Sequence, residues 1–91
     1  MVSLIYGIRF DPRAVGELER LDRTSQERIA GYLSKNIQGK NNPREFGKPL
    51  TGGKVKLWRY RVGDYRVICS INDAEKTVLV LRIAHRKDVY R

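Results

Sequence analysis

Histidine and cysteine are nearly missing from this chain of 91 residues, which has one of each, His85 and Cys69. A lone cysteine cannot close an internal disulfide. One histidine and one cysteine also fall short of the ligand set of the usual zinc site, so chemistry based on nitrogen- or sulfur-bound metal is not expected, and neither is a cofactor. No apolar run approaches the roughly 18 residues that a membrane-spanning helix requires. The opening "VSLIYGIRF" has neither a basic leader nor a small-residue cleavage site, so no secretory signal is read there and a cytoplasmic location is expected. The length suits one small domain, 1–91, with no linker to a second and no internal repeat.

Acidic residues are also scarce, and unevenly so. The formal charge is +9, with a pI near 10.1. Residues 1–38 hold six Lys or Arg against five Asp or Glu, whereas residues 39–91 hold thirteen against five. A surplus concentrated in one part of a small domain is the footprint of a polyanion, most simply a nucleic acid; a solvated basic face is the plainer alternative.

Apolar residues at Val2, Leu4, Tyr6, Ile8 and Phe10 have the period of a strand with one buried face. Asp11 and Pro12 then supply a helix cap and first turn, followed by Ala14, Val15, Leu18 and Leu21 at helical spacing. Thr24 and Glu27 form a capping-box pattern for a second helix with the stripe Ile29, Tyr32, Leu33 and Ile37, ended near Gly39. The segment "GKNNPREFGKPLTGGK", 39–54, shows neither period and reads as a loop. Three strands follow, "KLWRYRV", "YRVICSI" and "TVLVLRIAH", the first two joined by a type II′ turn at Gly63 and Asp64. The expected fold is α+β: an N-terminal strand, a two-helix hairpin and a three-strand antiparallel meander.

That turn pairs Val62 with Tyr65, Arg61 with Arg66, Tyr60 with Val67 and Arg59 with Ile68. Alternation sends Trp58, Tyr60, Val62, Tyr65, Val67, Cys69 and Ile71 to the core, and Arg59, Arg61 and Arg66 to the other face. Like charges directly opposite repel, so Arg61 against Arg66 calls for an offsetting anion. If Leu79, Leu81 and Ile83 join the core through an odd-length loop around Asp73, Ala74 and Glu75, then Arg82, Ala84 and Arg86 reach the arginine face. Leu57, Ile68, Val78 and Val80 would accompany them as an apolar patch suited to a protein partner.

"KPLTGG" leading into "LWRYRVGDYRVI", and the ending "HRKDVY", resemble the RelE-type toxins of toxin–antitoxin modules over nearly the whole chain. The resemblance implies a RelE-like fold, metal-independent cleavage of mRNA in the ribosomal A site, and a RelB-like cognate antitoxin wrapping the arginine face in a hetero-oligomer. The related ParE-type toxins share the fold and inhibit DNA gyrase without catalysis, which is the alternative function. Arg59, Arg66, Arg86 and Tyr90 fall where RNA-cleaving members place basic and aromatic active-site residues. Leu57 stands where the best-known member has a further lysine; either Lys54 or Lys56 supplies that charge, or the site works with one cation fewer.

Attack of a 2′-hydroxyl on the adjacent phosphate needs an orienting group or base, cations around the phosphorus, and an acid for the departing 5′-oxygen. Arginines suit the second task, since their planar forks grip phosphate and their charge is permanent. Arg66 and Arg86 are assigned to transition-state stabilisation. Arg59 and Arg61 are assigned to backbone positioning, with Lys54, Lys56, Arg82 and Lys87 as further phosphate contacts. Tyr90 either stacks on a splayed base or hydrogen-bonds near the reacting hydroxyl, or else anchors the C-terminus on the helices. His85 is an acid or base by its chemistry but falls on the core side of its strand by alternation, and the general base is left open.

Overall fold

The computed structural model describes residues 4–89. Its elements run β1 (Gly7–Phe10), α1 (Pro12–Glu19), α2 (Arg23–Asn36), β2 (Lys48–Leu50), β3 (Leu57–Val62), β4 (Tyr65–Asn72), β5 (Thr77–His85) and α3 (Arg86–Val89). The five strands form one sheet in the order β1-β5-β4-β3-β2, with β1 parallel to β5 and the other neighbours antiparallel. The two longer helices pack on one face, and among the described residues no helix packs across the other.

Local chemistry explains the helix starts. Asp11 accepts the Arg13 N–H at 2.9 Å, and Pro12 opens α1. The cap of α2 is Asp22 rather than the expected Thr24. Its carboxylate accepts the Ser25 N–H at 3.1 Å and the Ser25 hydroxyl at 2.6 Å. These bonds hold the Asp22 carboxyl below its ordinary pKa. A carboxylate satisfies the open amides and also meets the positive end of the helix, which a threonine hydroxyl does not. Glu27, freed from the capping box, pairs with Arg23 at 3.1 Å. Past α2, Gly39 has a φ of +75°, and its N–H donates to the Tyr6 carbonyl, tying the helix end to the start of β1.

The core joins Ala14, Ile29, Leu33 and Ile37 of the helical layer to Tyr60, Val62, Val67, Cys69, Val78, Val80 and Ile83 of the sheet. Trp58, Tyr65 and Ile71 pack at its margin, so the predicted core face of β3 and β4 stands complete. Burial pushes the Cys69 thiol up to about 12, leaving an inert packing residue. The N-terminal strand is shorter than the alternation predicted. Tyr6 and Ile8 pack inward, but Leu4 precedes the four-residue pairing with β5 and Phe10 ends it, so both are exposed.

Two further expectations are corrected. The segment 39–54 contains β2, whose Lys48, Pro49 and Leu50 pair with Arg59, Trp58 and Leu57. Three residues are too few to show a period, and proline is tolerated because β2 is an edge strand. The turn between β4 and β5 is four residues long, between Asn72 and Thr77, not odd. That parity sends Val78 and Val80 into the core and Leu79 to the open face, opposite Ser70. A bulge then restores the arginine register: Cys69 faces Val80 while Ile68 faces Arg82, so Leu81 is the extra residue. With it, both valines and Ile83 are buried and Arg82 is kept out of the core.

Candidate functional site

The open face is organised in rows by the strand register. Nearest the Gly63–Asp64 turn lie Arg61, Arg66 and Ala84; next come Lys48, Arg59, Ile68 and Arg82; beyond them, Leu50 faces Leu57 and Ser70 faces Leu79. Gly63 has a φ of +59° and Asp64 is not left-handed, as the predicted type II′ turn requires. Cations thus occupy one end of the face and leucines the other.

Arg66 is the centre of the basic end. It is only 6% exposed, and Nη1 donates to the carbonyls of Tyr65 at 3.2 Å and Gly63 at 3.4 Å. Its Nε is buried with no acceptor among the described residues, and none of their carboxylates forms an ion pair with it. Buried cations are normally paired, so this one is held ready for an anion. Arg86 reaches the same turn from the other side. Its N–H donates to the Asp64 carbonyl at 2.7 Å, and Nε lies 3.8 Å from Asp64 Oδ1 in an exposed, weak pair. Arg66 and Arg86 therefore meet at one hairpin turn, although Arg86 opens α3 instead of continuing β5.

The other predicted residues divide. Arg59 and Arg61 belong to the basic end, with Lys48 opposite Arg59 as a cation that sequence reasoning did not single out. Arg82 is on the predicted face, but its Nη2 is 3.0 Å from Glu17, whose other oxygen accepts the Ile83 N–H at 2.8 Å. Much of its charge is thus met within the protein. Lys54 and Lys87 are exposed. Lys56 lines a cavity with Arg44, Trp58 and Asp73, at the far end of β4 from Arg66, so it is not gathered into the cluster. His85 sits opposite Tyr65, its ring edge-on to the tyrosine with centroids 5.6 Å apart, and its Nδ1 accepts the Lys87 N–H at 3.3 Å. That is a packed, partnered side chain on the core side of the strand. Tyr90 lies outside the described residues.

A second cluster holds the loop that delivers Lys48. Arg44 grips Asp73 with two bonds of 2.9 and 3.0 Å, and the Tyr6 hydroxyl donates to the same carboxylate. Arg44 and Tyr6 together hold the Asp73 carboxyl down to about 2, while Tyr6 is raised by sharing it. The Tyr60 hydroxyl donates to the Pro43 carbonyl, and Trp58 Nε1 to that of Phe46 at 2.8 Å. Buried aromatics whose polar tips bond to a loop are a signal that the sequence does carry, but their partners are not visible in it.

The apolar end is a groove of about 490 Å³ lined by Leu50, Leu57, Ile68, Leu81 and Ala84 and bordered by Arg82. Leu50 and Leu81 take the places predicted for Val78 and Val80, which the register buries. Among the described residues no three His, Cys, Asp or Glu side chains gather where a metal ion could be held.

The sequence model of one family, described as ParE toxin of type II toxin-antitoxin system, parDE, matches residues 8–90. Toxin RelE of Mycobacterium tuberculosis is 35% identical over 88 residues, covering 94% of this chain and 87% of that protein. Toxin RelG of the same organism is 30% identical over 86 residues, covering 94% and 97%. The fold matches the crystal structure of the toxin-antitoxin complex RelBE2 from M. tuberculosis with a TM-score of 0.80 at 28% identity, covering 92% of this chain and 94% of that one.

Proposed function

The chain belongs to the RelE/ParE superfamily as a RelE-type toxin of type II toxin–antitoxin modules, and we propose that it acts as a ribosome-dependent endoribonuclease on mRNA in the A site. The observation that carries this reading is Arg66, buried on the sheet face beside other arginines and, among the described residues, without a carboxylate partner. A phosphate that changes charge during reaction is the ligand such a group serves best. In the reaction, the 2′-oxygen bonds to phosphorus and the bond to the 5′-oxygen breaks, leaving a 2′,3′-cyclic phosphate. The 2′-hydroxyl proton goes to a base and the leaving oxygen takes one from an acid.

Arg66 and Arg86 stabilise the charge on the non-bridging oxygens. Arg59 and Arg61, aided by Lys48, hold the flanking backbone in line. Tyr90 retains its role at the splayed base by resemblance alone, and His85 is read as structural. No step of the reaction is assigned to a metal. The neighbouring M. tuberculosis structure is a complex with antitoxin, and a cognate RelB-like antitoxin is proposed here to cover the open face, its apolar residues seated against Leu50, Leu57 and Leu81. A toxin that acts on ribosomes would work in the cytoplasm.

A second reading, inhibition of DNA gyrase without catalysis, is favoured by the ParE description of the matching family model, by Leu57, and by the capture of Arg82 by Glu17. Purified protein added to a translating extract decides between them. New mRNA 5′ ends at codon-spaced positions, lost in Arg86→Ala, support the nuclease. Intact mRNA with inhibited gyrase supercoiling supports the alternative.

A further inference from the structure

β2 covers only Leu57–Arg59 of β3, so Tyr60–Val62 have no strand on their outer side. A cleft opens there between β3 and α2. Two cavities of about 310 and 470 Å³ share Tyr32 and Arg61 as lining residues, so they form one trough from the Gly63 turn to the start of β2. Arg28 and Lys35 flank one end, Lys48 and Arg59 the other, and Arg61 lies between. No carboxylate lines either cavity, and among the described residues Arg28, Lys35, Lys48 and Arg61 form no ion pair.

Two aromatics complete the trough. Phe46 is 40% exposed, although its loop is firmly placed: its carbonyl accepts Trp58 Nε1, and the next residue, Gly47, lies against β3. A Cβ on Gly47 would come 2.4 Å from the Arg59 carbonyl. The Phe46 ring therefore stays at the surface beside cations, where it adds little to the core. Tyr32 packs against Tyr60, ring centroids 6.0 Å apart, and its phenol, neutral as tyrosines are near pH 7, does not repel phosphate.

We propose that this trough carries the RNA-binding surface beyond the open face, around the edge of β3 to α2, and holds single-stranded RNA by stacking a base on Phe46 or Tyr32 and gripping phosphates with Arg28 and Lys35. Aromatic platforms interleaved with unpaired cations are how single strands are held without sequence readout. A duplex would leave the rings unused, and an acidic protein segment would not need them. The trough shares Lys48, Arg59 and Arg61 with the basic end of the open face, so one strand can run from cutting site to trough around the edge of β3. This binding rests on the protein being an RNA-directed toxin but does not require that it cleave.

The test is fluorescence anisotropy of a labelled eight-nucleotide RNA of mixed sequence, with Arg86→Ala as the parent in every sample. Phe46→Ala is expected to weaken binding roughly tenfold. Arg28→Gln and Lys35→Gln are each expected to lower the slope of log affinity against log salt by about 0.7, the value for one phosphate contact on a single strand. Binding by all three variants equal to the parent in affinity and slope would overturn the proposal. So would lost affinity for the antitoxin with RNA binding intact, which would make the trough a protein interface. Should Phe46→Ala alter the melting curve, Arg28→Gln and Lys35→Gln, both at exposed positions, decide alone. Primer extension with the wild type separates the two readings: mRNA cleavage with no effect of the trough variants on RNA binding refutes only the trough, and trough-dependent binding without cleavage refutes only the nuclease.

Discussion

Arg61 and Arg66 face each other across β3 and β4, one pair in from the hairpin turn. In a two-residue hairpin the first pair, here Val62 and Tyr65, exchanges hydrogen bonds, so the next is the non-hydrogen-bonded kind, with Cα atoms about 4.5 Å apart. Two permanent positive charges thus stand at the closer of the two pair types. Backbone carbonyls receive Nη1 of Arg66, and among the described residues no carboxylate cancels its charge.

Relief of this repulsion should be measurable. Arg61→Ala is expected to raise the stability of the free protein by about 0.5 kcal/mol while lowering activity. Urea midpoints at low and high salt check it, and the gain should shrink as salt screens the pair.

The Arg44–Asp73–Tyr6 cluster gives a pH signature. Asp73 is depressed to about 2 in the folded protein, so its contribution is fully present above the ordinary aspartate range and is lost as pH falls toward 2. Urea midpoints of the wild type and Asp73→Asn should differ at pH 7 and converge toward pH 2. A constant difference across that range would show that the carboxylate charge is not what holds the loop.

Gly47 and Gly39 both have positive φ, of +82° and +75°, but only Gly47 is crowded by β3. Gly39→Ala should cost about 1–2 kcal/mol, the left-handed penalty alone. Gly47→Ala should cost clearly more and shift the loop carrying Phe46 and Lys48. Chemical denaturation of the two variants side by side checks the order.

Leu81 is the parity-restoring residue of β5. Deleting it should join Val80 directly to Arg82 and remove the bulge, leaving Arg82 and Ala84 on the open face and Ile83 in the core, so the variant should still fold cooperatively while losing one wall of the apolar groove. Loss of the sharp thermal transition in the deletion variant would show that Leu81 does more than carry the bulge.

The hairpin of β3 and β4 was legible because a turn signal and strict alternation fix register together; the Arg61–Arg66 pair followed from those two facts alone. β5 was not, because Leu79, Val80 and Leu81 are all apolar and no alternation can be read through such a run. Its bulge is set by what the tertiary core requires. Similarly, β2 exists because Lys48 and Leu50 find β3, not because of local propensity. Glu17 and Asp73 are ordinary surface carboxylates in the sequence, and only the fold brings them to Arg82 and Arg44, across separations of 65 and 29 residues. The basic end of the site was therefore readable, but which of its cations are already neutralised was not.

The most direct test is the single-turnover rate of mRNA cleavage on programmed ribosomes for wild type and Arg66→Lys. Lysine keeps the charge and most of the buried stem but loses the planar fork. If Arg66 holds the reacting phosphate, the rate should fall by about two powers of ten with the melting temperature little changed. A rate within twofold of wild type would contradict that role.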